Sequence, residues 1–173
     1  MKQSCAQVYY GDGKGKTTAA AGAALRCMGA GGRVLFCQFL KSGASSEVKM
    51  LEKLGARCLS CGQSTKFLWD MDAAEREEFS RTQAALFARA QEEIATGKYD
   101  MAILDEALDV AALGMICKDR LLSLAAGRGE TEIILTGRQP GPELLELCEY
   151  ASRIECVKHP YNAGQPARRG VEF

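Results

Sequence analysis

Short apolar runs recur along the chain, separated by stretches with helical spacing. Runs at 5–10, 33–39, 56–60, 100–105, 131–136 and 153–157 read as strands, and the stretches near 16–29, 46–54, 72–96, 106–112, 118–126 and 142–150 read as helices. Regular strand–helix alternation predicts an α/β protein with a mainly parallel sheet covered by helices on both faces. The run MAILDE is apolar without alternation, as expected of a strand buried on both sides. Local signals mark several ends. Asp72 and Glu75 fit a capping pair, and Phe79, Leu86, Phe87, Ala90 and Ile94 then share one helical face as a core stripe. Gly97 is a stop signal, and Pro142 suits the first turn of the helix that follows it. No linker, repeat or low-complexity segment interrupts the 173 residues, so one domain over 1–173 is expected. The closing stretch KHPYNAGQPARRGVEF reads as an ordered loop or a frayed end.

Composition narrows the partners. The 22 Lys and Arg balance the 22 Asp and Glu, which removes any bulk electrostatic case for nucleic acid or an anionic membrane. The longest apolar runs, such as VLFCQFL, are too short to span a bilayer, and no signal-like segment opens the chain, so a cytoplasmic location is expected. In that compartment the eight cysteines should be reduced thiols. The single C-x-x-C, Cys58 to Cys61, lacks the second pair or histidines of a structural zinc site, since His159 is the only histidine.

The chemistry concentrates in a glycine-rich loop. GDGKGKTTAAAG follows the apolar run AQVYY and opens a helix of good formers. Its ending, Gly15-Lys16-Thr17, is that of a phosphate-binding loop, whose usual spacing is G-x-x-x-x-G-K-S/T. Here the position five before Gly15 is Tyr10; glycines stand instead at Gly11 and Gly13. Glycines let N–H groups turn toward phosphate oxygens, the helix N-terminus adds partial positive charge, Lys16 adds a full one, and Thr17 offers a hydroxyl to Mg²⁺. About ninety residues on, the strand YDMAILDEALD ends in Asp105 and Glu106, either of which can hold the metal directly or through water. Together these features specify a nucleoside triphosphate and Mg²⁺ (or Mn²⁺), but not the reaction. In TKFLWD, Phe67 and Trp69 alternate, which suits core packing or a binding surface. Arg138, at the end of a predicted strand, either neutralises phosphate or starts a solvated turn.

The combination resembles the P-loop ATP:corrinoid adenosyltransferases. The likeness runs through GDGKGKTTAAAG, GAALRCMGAGGRV, CQFLKSG, FLW, ILDE, LTGR and VKHPYNAGQPARRGVEF. It implies a three-layer P-loop NTPase-like (RecA-like) fold with a mainly parallel central sheet of about six strands. It implies that Co(I) of a reduced corrinoid attacks C5′ of ATP and that triphosphate leaves intact. Gly11, Asp12, Gly13, Lys14, Gly15, Lys16, Thr17, Thr18, Arg26 and Arg138 would then hold nucleotide, Thr17, Asp105 and Glu106 the metal, and Phe67 and Trp69 the lower corrin face, with Lys16 serving the leaving group. A reduced flavoprotein donor and a homodimer are implied as well. The alternative class is a P-loop ATPase or nucleoside kinase, which leaves FLW without a role; a nucleotide-controlled switch is a third. Three departures stand out. Asp12 replaces the family's usual Asn, SEVKML is shorter than usual, and the chain begins almost at its first strand, so an N-terminal cover over the site is expected to be missing.

Overall fold

The computed structural model describes residues 4–41, 45–62 and 68–171. Its sheet contains β1 (Ala6–Tyr10), β2 (Val34–Gln38), β3 (Arg57–Ser60), β4 (Met101–Asp105), β5 (Glu132–Gly137) and β6 (Tyr150–Arg153). They lie in the order β3-β2-β4-β5-β1-β6, and every neighbouring pair is parallel. Parallel strands need covered crossovers, and the helices supply them: α1 (Lys16–Gly29), α2 (Ser46–Lys53), α3 (Ala73–Ala95), α4 (Ala107–Ala112), α5 (Lys118–Ala126) and α6 (Pro142–Leu147).

The period-two alternation of side chains sorts the strand residues onto two faces. Val34, Phe36, Ile103 and Ile134 pack with Ala20 and Ala24 of α1 and with Val48 and Leu51 of α2. Leu35, Cys37, Leu104 and Leu135 face the other way, onto Leu86 and Phe87 of α3 and the helices that follow. The result is the three-layer P-loop NTPase-like arrangement. Small alanines on α1 let that helix lie close to the sheet, directly behind the loop it follows. Among the described residues no helix is long and apolar enough to cross a membrane.

Helices α1 and α5 occupy the predicted bounds, and the Asp72–Glu75 capping box closes the start of α3 in both directions. Gly97 ends that helix at φ 65, a left-handed conformation that glycine tolerates. On the predicted stripe of α3, Phe79 is only half-buried, and Gln83 joins the face fully buried.

One region differs from expectation. Helix α6 stops at Leu147 rather than near 150, and β6 occupies 150–153 rather than 153–157. Cys148 turns extended (ψ 134), and the Glu149 N–H donates to the Ala6 carbonyl at 3.0 Å, so pairing with β1 starts early. All four β6 residues are exposed on this edge strand and carry no apolar signature. The apolar Ile154 instead donates its N–H to the Tyr10 carbonyl at 2.7 Å, and the chain then crosses the glycine-rich loop.

A candidate nucleotide site at the carboxyl edge of the sheet

Register brings the carboxyl ends of five strands together. Tyr10 pairs with Gly137 and with Arg153, and Gln38 pairs with Asp105. Ligand sites in open α/β sheets form outside this edge.

The loop Gly11–Gly15 leaves β1 here. Its displaced glycines have a steric reason. A Cβ at Gly11 would lie 2.3 Å from the Ile154 carbonyl oxygen, and one at Gly13 would lie 2.7 Å from the Glu155 backbone. Gly11 also sits at φ 116 and Gly15 at φ 120, where side chains are strained. The backbone after β6 therefore dictates glycine at 11 and 13. Both of those amides are already engaged: the Gly11 N–H donates to the Arg138 carbonyl at 3.0 Å, and the Gly13 N–H to the Ile154 carbonyl at 2.9 Å. Inward-facing donors are instead left to the first turn of α1. Gly15 is its N-cap and provides no side-chain cap, so the N–H groups of Lys16, Thr17 and Thr18 have no intrahelical partner by position. Lys16 folds back over the loop, its Nζ donating to the Gly13 carbonyl at 2.8 Å. Burial pulls its ammonium below the usual lysine range, opposed by the Asp109 carboxylate.

Opposite the loop lies Asp105, fully buried. Its Oδ1 accepts from the hydroxyls of Thr17 at 2.9 Å and Thr136 at 2.7 Å, and its Oδ2 from Gln38 Nε2 at 3.0 Å. Lys41 Nζ stands 3.4 Å from Asp105 Oδ2 and 3.0 Å from Glu106 Oε1. Burial raises the Glu106 carboxyl above the usual range, and Lys41 counteracts it. Burial likewise raises Asp109, which accepts from the Arg138 N–H at 3.3 Å.

Lys14, Lys16, Thr17, Thr18, Lys41 and Glu106 line one cavity of about 430 Å³, and Gly170 and Val171 of the tail reach its wall. Arg138 is exposed and lines a separate cavity of about 560 Å³ on the far side of the loop, with Asp12 and Arg153. Asp12 Oδ1 accepts the Cys156 N–H at 3.2 Å, tying the post-β6 chain to the loop. Arg26 lies apart from this constellation. It sits in the exposed last turn of α1, ten residues and so about 15 Å beyond Lys16 along the helix. Trp69 is 72% exposed on the short 3₁₀ turn Leu68–Asp70, and Phe67 falls outside the described residues. Cys61 accepts from Gln83 Nε2 at 2.9 Å, and burial pushes the Cys58 thiol up to about 11.

Sequence reasoning passed over Gln38, Thr136 and Asp109 as site residues and noted Lys41 only inside CQFLKSG. Gln38 and Thr136 are polar residues near the ends of otherwise apolar buried strands, VLFCQ and EIILTG. A buried polar side chain needs a partner, and that was the available signal.

A parallel sheet whose first strand feeds a glycine loop into a helix N-terminus, opposite a buried Asp–Thr pair, defines a P-loop nucleotide-binding protein. Comparison with known proteins narrows the class. The family ATP:corrinoid adenosyltransferase BtuR/CobO/CobP matches residues 2–173, and the chain belongs to it. It is 32% identical over 168 residues to the corrinoid adenosyltransferase CobA of Salmonella typhimurium, covering 96% of this chain and 84% of that one. The Escherichia coli K12 corrinoid adenosyltransferase gives the same identity and coverage. The Pseudomonas aeruginosa corrinoid adenosyltransferase is 29% identical over 96% of this chain and 82% of its own.

Proposed function

We propose that this protein transfers the 5′-deoxyadenosyl group of ATP to Co(I) of a reduced corrinoid, with triphosphate as the leaving group, acting as one cytoplasmic domain over residues 1–173. The observation that carries the reading is the pairing of an uncapped helix N-terminus and Lys16 with the Thr17–Asp105 wall, in a chain of this family. Co(I) is itself the nucleophile, so the protein needs no general base. That suits a chain whose only histidine lies in the tail, its Nδ1 accepting the Tyr161 N–H. The work left to the residues is to orient C5′ toward cobalt and to stabilise charge on the departing triphosphate. The amides of Lys16, Thr17 and Thr18, with the Lys16 ammonium, are the donors for that charge.

The donor set also fits a hard divalent cation. The Thr17 hydroxyl and the carboxylates of Asp105 and Glu106 are oxygen ligands on one wall, the few-carboxylate set that Mg²⁺ or Mn²⁺ uses alongside substrate phosphates. Such a cation supplies neutralisation of phosphate charge.

Trp69 is exposed at the surface rather than packed in the core, which favours a binding role for it. Paired with Phe67, it would cover the lower corrin face, exclude the lower axial ligand and ease reduction of Co(II). A reduced flavoprotein would supply that electron, and a homodimer is the proposed assembly. Trp69→Ala should spare turnover of pre-formed Co(I) while cutting turnover that starts from Co(II), read by parallel assays with chemically and enzymatically reduced cobalamin. Equal losses in both would make Trp69 a structural residue. The function itself is tested by incubating the protein with MgATP and chemically reduced cobalamin and identifying both products; orthophosphate or ADP as the main phosphorus product would favour an ATPase or kinase instead.

A further inference from the structure

The two non-glycine residues with positive φ among the described residues are Leu40, at 57, and Glu106, at 63. A bulky residue in the left-handed region is strained, and such strain persists only where the surroundings over-determine it. Here the surroundings do so. The Phe39 N–H donates to the Asp105 carbonyl at 3.0 Å, and the Leu40 N–H donates to Gln83 Oε1 at 3.1 Å. Gln83, fully buried in α3, is fixed in turn by its bond to Cys61. Across the gap, the Glu106 N–H donates to Thr136 Oγ1 at 2.9 Å.

The product of this scaffolding is the placement of Lys41 among three oxygen groups. The ammonium of Lys41, next to Leu40, reaches Glu106 Oε1 at 3.0 Å, Asp105 Oδ2 at 3.4 Å and Thr17 Oγ1 at 3.4 Å. These are the three oxygen groups assigned above to the divalent cation. An ammonium and a hard cation need the same lone pairs and cannot both hold them.

We propose that Lys41 is a resident cation: without nucleotide its ammonium occupies the divalent-cation position between Asp105, Glu106 and Thr17, and it swings from there to the triphosphate when the metal–nucleotide complex enters. Lys41 is a positioning residue in the free protein and a phosphate ligand in the loaded one. It keeps a bare divalent cation from settling on the carboxylates, so that the metal arrives with ATP. Both halves of the motion stay within the same cavity, which Lys41 lines with Lys16 and Thr18. The inference rests on the metal assignment made under the proposed function, and not on the identity of the adenosyl acceptor.

The test is Mn²⁺ binding followed by electron paramagnetic resonance, with no nucleotide present. Wild type should bind Mn²⁺ weakly, and Lys41→Gln should bind it roughly tenfold more tightly or better, because a charge within 4 Å of the ligands has been removed. Equal or weaker Mn²⁺ binding by the variant would overturn the proposal. A second measurement needs no variant. The Lys41 ¹⁵Nζ resonance of the wild-type protein should shift on adding MgATP and stay unmoved on adding the same concentration of Mg²⁺ alone; a resonance indifferent to MgATP would also overturn it. Neither readout involves a corrinoid, so their failure is distinguishable from failure of the adenosyl-transfer reading.

Discussion

Lys16→Ala should lower kcat for adenosyl transfer by roughly 10²–10³, the loss found when one preorganised charge donor is removed from a reacting site. Lys16 folds across the loop toward the Gly13 carbonyl and lines the cavity beside the uncapped first turn of α1. If triphosphate departs from this cavity, charge grows where that ammonium can reach, and the interaction strengthens along the reaction. The loss should therefore appear in kcat with pre-formed Co(I), where reduction of the corrinoid plays no part. Lys16→Arg should not restore it, because a planar fork does not replace a compact ammonium in a cradle of backbone amides. Thermal unfolding should change little, since among the described residues the Lys16 side chain's hydrogen bond goes to a loop carbonyl. A variant with nearly unchanged kcat would remove Lys16 from the leaving-group role.

Asp105→Asn should have the largest effect on stability. The carboxylate is fully buried and accepts from Thr17, Thr136 and Gln38 while balancing Lys41. An amide of the same size can keep Oδ1 as the acceptor from Thr136. Its NH₂ then faces the Gln38 amide and the Lys41 ammonium, donor against donor. Lys41 keeps its ion pair with Glu106 at 3.0 Å, so the cost is that of orphaning buried hydrogen-bonding groups, about 1–3 kcal/mol each. Because Gln38 also retains its bond to Ser45 at 2.9 Å, the expectation is about 2 kcal/mol. Urea unfolding would read this as a lower midpoint at unchanged slope. A midpoint within error of wild type would mean that the Asp105 network contributes nothing to stability beyond its place in the site.

Much of this arrangement is legible in the sequence, because the signals are local. The strands β2, β4 and β5 are buried on both faces and so appear as largely apolar runs, while β1 alternates buried and half-buried positions. The start of α3 carries its own cap, and the loop carries Gly-Lys-Thr. What escaped was what depends on distant backbone. The exposed edge strand β6 has no apolar pattern of its own; only pairing with β1 defines it. The glycines at 11 and 13 looked like phosphate-facing positions, yet their amides bond to Arg138 and Ile154, and their missing side chains make room for residues 154–155. Asp12 reads as a carboxylate beside the phosphate cradle, and its Oδ1 accepts the Cys156 amide from a distant part of the chain. The role proposed for Lys41 depends on the strained backbone at Leu40, braced by Gln83 forty-three residues further on. No short window of sequence contains that relation.

In the proposed reaction this phosphate loop holds a leaving group rather than a group to be hydrolysed. Phosphorus NMR of the products formed from MgATP and chemically reduced cobalamin, taken alongside the optical spectrum of adenosylcobalamin, tests it most directly. One tripolyphosphate should form for each cobalt–carbon bond. ADP and orthophosphate accumulating without adenosylcobalamin would contradict it.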